Sequence, residues 1–210
     1  ALLLCAASLF GQPADGDKIA ACRQIAADKE CPEEKLEKAY EDIINLIARS
    51  DRNAAAEEAA AIVKDARLSP ERKAHFTFMQ ARLISNRAER MAVLRAIPQI
   101  KGCPPAQLVS AWCMLADEFS PDAFAKLLDQ ARAFPRENQL ELTIAYRTLL
   151  VRQGRASQAV KVLEAFGMDG LDEARRGQYH TVLAQTHLAN TRFDGSITPE
   201  NLRHALGSYR

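Results

Sequence analysis

Strand-forming aromatic residues are in short supply in this chain. They make up 6% of its 210 residues, and there is a single tryptophan. With β-branched residues also sparse and Ala, Leu, Arg, Glu and Gln abundant, a sheet protein is disfavoured and helix is favoured. Neither sign of charge is in excess, since 28 Lys plus Arg face 27 Asp plus Glu for a net charge of +1. Nucleic-acid or acidic-membrane binding needs a concentrated basic field, and the two signs are here interleaved along almost every segment. No nucleic-acid partner is expected. The chain also lacks C-x-x-C, H-E-x-x-H and G-x-S-x-G patterns and any phosphate-cradling glycine loop. The acidic pairs Glu33-Glu34, Glu57-Glu58 and Asp172-Glu173 fall at helix starts or exposed faces, where they complement the helix dipole. The histidines, His75, His180, His187 and His204, lack tight ligand spacing. His180 and His187 would stand about 10 Å apart along one helix face, too far to chelate one ion unaided. No catalytic residue, metal or cofactor is expected.

What is present begins with an uncharged apolar run, Ala1 to Phe10, too short to span a bilayer. It resembles the hydrophobic part of a secretory signal peptide, with small residues before the polar Pro13 to Asp17 stretch. Residues 1–12 are therefore expected to be a signal remnant, and the mature chain to be exported, periplasmic, envelope-associated or secreted, without a membrane span. Removing that run takes Cys5 and leaves Cys22, Cys31, Cys103 and Cys113. An even count suits an oxidising compartment, with buried free thiols the ordinary alternative. A turn near Asp28 to Pro32 makes Cys22 and Cys31 the possible disulfide. Ten residues of helix would part Cys103 from Cys113 by about 15 Å.

Helix starts are legible. Ser69-Pro70-Glu71 and Ser120-Pro121-Asp122 each set a capping hydroxyl before a proline in the first turn, followed by an acid. Cys31-Pro32-Glu33, Pro104-Pro105 and Thr198-Pro199-Glu200 follow the same proline logic, and breaks fall at Ser50 to Asn53, Ser85 to Arg87, Gly154 and Gly167 to Gly170. Alternate helices start near Pro32, Ser69, Pro104, Arg136 and Leu171, in steps of 32 to 37 residues. The intervening set starts near Asn53, Arg87, Ser120 and Arg155, in steps of 33 to 35. A two-helix unit repeating every 34 or so residues is the spacing of a helical repeat.

The segment Trp112-Cys-Met-Leu115-Ala116-Asp-Glu-Phe119 resembles the first-helix signature of the tetratricopeptide family, with bulky, leucine, small and aromatic positions in order. In 34-residue steps the bulky position falls on Ile44, Phe78, Trp112, Tyr146 and His180. Gly154 to Leu163 is similar to the family's turn and second helix, and Ala60, Leu94, Leu128 and Val162 share a second-helix register, as do Val63, Ile97, Ala131 and Ala165. The likeness covers residues 32 to 208 in degenerate form, since the aromatic after the small residue appears only as Phe119. It implies an all-α fold, an α-solenoid of about five antiparallel helix pairs in a right-handed superhelix. Residues 13–31 form a linker and short helix, and 32–210 the repeat domain.

In that family the concave face is lined by first-helix positions beside the core signature. Carried over, one column is Asn45, Met79, Cys113, Arg147 and Thr181 and a second is Arg49, Leu83, Asp117, Val151 and Gln185. Phe76, Met79 and Leu83 are expected to form an apolar patch among polar neighbours, suited to an extended peptide or partner helix. The implied partner-binding set is Asn45, Arg49, Phe76, Met79, Leu83, Asp117, Arg147, Thr181 and Gln185. The function implied is non-enzymatic protein–protein interaction in a bacterial envelope or secreted space. The alternative is a non-catalytic helical part of a larger envelope enzyme acting on cell-wall glycan.

Overall fold

The structure, a computed structural model, describes residues 14–193. The signal-like run, the Thr198-Pro199-Glu200 start and His204 lie outside the described residues. Among those described there is no strand, and none of the helices is long and apolar enough to cross a membrane. The helices are α1 (Asp15–Ala27), α2 (Glu33–Ala48), α3 (Arg52–Ile62), α4 (Pro70–Leu83), α5 (Arg87–Leu94), α6 (Pro105–Met114), α7 (Pro121–Gln130), α8 (Arg136–Arg152), α9 (Ala156–Phe166) and α10 (Glu173–Phe193). Short 3-10 turns occupy Ile97–Gln99, Ala116–Glu118 and Ala131–Ala133. The all-α expectation holds, and each helix start expected within the described residues lies within two residues of an observed one.

The caps explain that agreement. The Ser69 hydroxyl accepts from the Arg72 amide at 3.4 Å and the Ser120 hydroxyl from that of Ala123 at 3.2 Å, each ahead of a proline at the first position. The Asp51 carboxylate accepts from the amides of Asn53 and Ala54, both at 2.9 Å, and the Asn86 side chain accepts from Glu89 at 3.1 Å. At the end of α8, Gly154 adopts φ +73°, so that the Arg155 amide can turn back to the Leu150 carbonyl at 2.9 Å. That left-handed position suits glycine because a Cβ there would strain the backbone.

The chain divides at Cys103/Pro104 into two compact units. In the first unit, α1 packs on α2, α2 on α3, α3 on α4 and α4 on α5. Its core joins Leu36, Ile44, Ala59, Ile62, Leu68 and Phe76, with Tyr40 edge-on to Phe76 at 5.9 Å. In the second unit α8 is central, touching α6, α7, α9 and α10. There Phe124 stacks on Tyr146 at 5.5 Å and Trp112 on Phe134 at 6.1 Å, among Val109, Leu142 and Leu150.

The sequence period reappears as contacts between alternate helices. Arg72 of α4 donates to Glu37 of α2 at 2.5 Å across 35 residues, and His75 meets Glu41 at 2.9 Å across 34. In the second unit Arg175 of α10 donates to Glu141 of α8 at 3.2 Å across 34 residues, and Arg152 pairs with Asp117 across 35.

Trp112 is 8% exposed within this aromatic cluster. Trp112→Ala should therefore cost about 3 to 5 kcal/mol, the usual range for emptying a large aromatic site. Chemical denaturation followed by circular dichroism checks this, and a loss below about 1 kcal/mol would show that the ring is not a core element.

Candidate functional site

In the first unit the exposed edge of α2 borders two clefts. One, of about 230 Å³, is lined by Ile44 and Asn45 of α2, Arg52 of α3, and Met79, Arg82 and Leu83 of α4. Arg52 closes one side by donating to the Arg82 carbonyl at 2.9 Å. The other, of about 500 Å³, lies between α1 and α2 and is lined by Lys18, Cys22, Asp42, Asn45, Leu46 and Arg49. Asn45, exposed, borders both. Thus Asn45, Met79 and Leu83 share one cleft, while Arg49 lies on its neighbour and makes a loose 3.3 Å ion pair with Asp15.

Phe76 does not join them. It is 0% exposed, because its ring fills the space between α2 and α3 and packs against Tyr40 and His75. The apolar patch expected from Phe76, Met79 and Leu83 is thereby reduced to Met79 and Leu83, which remain half-buried. The two phenylalanines of α4 exchange roles, since Phe78, assigned to the core by the register, is also only half-buried.

The second unit holds the other four candidates. Arg147 of α8 donates from Nε to the Thr186 hydroxyl of α10 at 2.6 Å. Burial pulls its pKa down. Thr181 donates to its own helix at the Gly177 carbonyl, 3.0 Å away, and Gln185 is exposed one turn further on. Asp117, paired with Arg152, lines a separate cleft of about 270 Å³ together with Cys113, Met114 and Thr148. His187 is buried, and His180 is half-buried with its ring edge-on to Tyr179 at 5.8 Å.

All four described cysteines are free thiols, so the expected Cys22–Cys31 bridge is not formed. Cys31 packs against the core of the first unit and its Sγ donates to the Pro32 carbonyl at 3.6 Å, while Cys22 faces the α1–α2 cleft. Burial, aided by the neighbouring Glu141 carboxylate, pushes the Cys113 thiol up to about 12. Because the thiolate is the nucleophile, native alkylation near neutral pH should modify Cys113 more slowly than Cys31. Peptide mass mapping over a time course checks the order, and early labelling of Cys113 would contradict its burial.

Three groupings escaped the sequence reading. A cleft of about 500 Å³ lies between α7, α8 and α9, walled by Leu128, Tyr146, Val162 and Phe166, with Arg136 stacked over Phe166 at 3.6 Å. Leu128 and Val162 share a second-helix register in the sequence, but a shared apolar column does not distinguish a filled core from a cleft wall. Glu37, Glu41 and His75 converge from α2 and α4. The third grouping centres on Arg67. It donates to Asp65 at 2.7 Å and to the carbonyls of Ala26 and Asp28, both at 2.8 Å, while Tyr40 donates to Asp65 at 2.6 Å. Those carbonyls lie at the end of α1, where helix geometry leaves acceptors unused, so the network fixes α1 beside α2 and with it the larger cleft.

No family model, curated protein or solved structure matches the chain.

The network gives the first unit a defined response to pH. The Arg67 guanidinium, with help from Tyr40, holds the Asp65 carboxyl well below the usual carboxylate range. A depressed carboxylate pKa contributes stability that is present above its unfolded value, near 4, and lost as pH falls through the folded value. Burial, then the bond to Asp65, pushes Tyr40 up to about 12. That contribution is present below the unfolded value near 10 and is lost as pH rises toward 12. Asp65→Asn should thus cost about 1 to 3 kcal/mol at pH 7 and flatten the loss of stability below pH 4. Urea midpoints measured from pH 3 to 8 test this, and parallel curves for variant and wild type would remove Asp65 from the account.

Proposed function

We infer that the protein is a non-enzymatic interaction scaffold, each unit a stretch of tetratricopeptide-like solenoid built from antiparallel helix pairs. The pairings at separations of 34 and 35 residues support the repeat, because a solenoid returns equivalent positions to adjacent helices. The observation that carries the binding reading is the cleft of the first unit. Asn45 of α2 meets Met79 and Leu83 of α4 there, residues far apart in sequence and put forward from register alone.

The lining suits a peptide or partner helix that sets an apolar side chain on Met79 and Leu83. Arg52, Arg82 and Asn45 supply polar groups at the rim that orient it, as side-chain pockets do in groove recognition. Met79 adds an adaptable surface, since its unbranched thioether repacks readily around different shapes. The opening apolar run, similar to the hydrophobic part of a signal peptide, supports an exported compartment, the bacterial envelope or secreted space.

Asn45→Trp tests the reading by filling the mouth of the cleft from an exposed position. Partner capture from a native envelope extract should fall by at least about tenfold, equivalent to 1.4 kcal/mol. Stability should move by no more than about 0.5 kcal/mol, as for most surface changes. Lys161→Trp, on the exposed face of α9, is the matched control and should leave capture intact. Equal capture by the two variants would sink the groove assignment.

A further inference from the structure

The second-helix cleft and the half-buried Arg147 are open to many occupants, whereas the convergence of Glu37, Glu41 and His75 selects a chemistry. Glu37 and Glu41 lie one turn apart on α2, and His75 approaches from α4, 34 residues after Glu41. One ligand atom from each lies within 4.8 Å of the other two. A tetrahedral ion with bonds of about 2.1 Å needs donors about 3.4 Å apart, a contraction that small side-chain rotations supply. His75 Nε2 is already 2.9 Å from Glu41 Oε1, so imidazole and carboxylate are aimed at a common point.

We propose that Glu37, Glu41 and His75 form a divalent transition-metal site, with Zn²⁺ the ion best suited to it, clamping α2 to α4. One imidazole and two carboxylates are a donor set that borderline divalent ions accept, and three protein ligands leave a fourth position for water. The side chains of Glu41 and His75 are 36% and 40% exposed, which gives an ion a path from solvent. Arg72 donates to Glu37 at 2.5 Å and is 30% exposed, so it orients the carboxylate while leaving its second oxygen to the ion. Hydrogen bonding of this kind to a ligating carboxylate is usual around bound metals. Phe76 and Tyr40 back the site, His75 lying edge-on to Phe76 at 5.3 Å. The ion would take the place of the His75–Glu41 hydrogen bond and add a coordinate link to the Arg72–Glu37 and Tyr40–Phe76 contacts that already join α2 to α4.

The test uses the full mature chain, stripped with chelator and titrated with Zn²⁺ by calorimetry. Co²⁺ absorption, run in parallel, separates nitrogen and oxygen ligation from thiolate ligation, since the free cysteines are rival zinc ligands. One ion should bind per chain and raise the melting temperature, and Co²⁺ should give no sulfur charge-transfer band. Glu41→Gln and His75→Ala should each weaken Zn²⁺ at least tenfold, with circular dichroism confirming that they fold. Cys22→Ser/Cys31→Ser should bind as the wild type does. Absence of Zn²⁺ binding, equal affinity in Glu41→Gln, or a thiolate band on Co²⁺ would each overturn the proposal.

Discussion

Close approach of helices through buried alanines is the contact on which the rest of the structure depends. Ala55, Ala59, Ala74, Ala81, Ala111, Ala159 and Ala184 are all 0% exposed. Each removes side-chain bulk at a helix surface and admits a large neighbour from the facing helix, the ridge-into-groove packing that fixes crossing geometry. In the first unit Phe76 of α4 packs in one cluster with Ala55 and Ala59 of α3, and in the second Phe124 and Tyr146 pack with Ala159. A chain with so few aromatics has to place them where small residues make room, and these clusters hold most of the fully buried rings.

The ion pairs that repeat at 34 and 35 residues follow from that packing and do not cause it. Arg152 and Asp117 keep 62% and 49% of their side-chain surface, and exposed pairs of this kind contribute about 0 to 1 kcal/mol. A single fully buried Phe or Leu contributes about 1.5 to 3 kcal/mol. What the pairs report is geometry, because they form only where alternate helices bring equivalent positions side by side. The same geometry sets Asn45 beside Met79 and Leu83 in one cleft and Glu41 beside His75.

Helix boundaries were legible because their chemistry is local: a serine, aspartate or asparagine cap, a proline in the first turn and a left-handed glycine act within three or four residues. Rotational phase was less legible. Phe76 and Phe78 stand two residues apart, about 200° around a helix, so a register error turns one inward and the other out. The 34-residue step favoured Phe78, but the gap between α2 and α3 is filled by Phe76, a tertiary fact that no local pattern contains. Cysteine parity carries no information on where each thiol sits: Cys31 packs against a core cluster while Cys22 lines a cleft. Ligand spacing within one helix carries no sign of the His75 grouping, whose signal is the 34-residue offset between Glu41 and His75.

Two arginines show how far stability alone explains these side chains. Arg67 meets a carboxylate and two helix-end carbonyls, so its charge is neutralised and its donors are used in holding α1. Arg147, half-buried, also gives up part of its water, but for the Thr186 hydroxyl, and among the described residues no acidic group offsets the loss. A charged group that is desolvated without a counter-charge lowers the stability of the fold that contains it. Residues whose placement opposes stability are the ones whose retention needs another cause, and binding is the commonest. Among the candidates of the second unit, Arg147 is therefore the residue whose presence the described packing explains least.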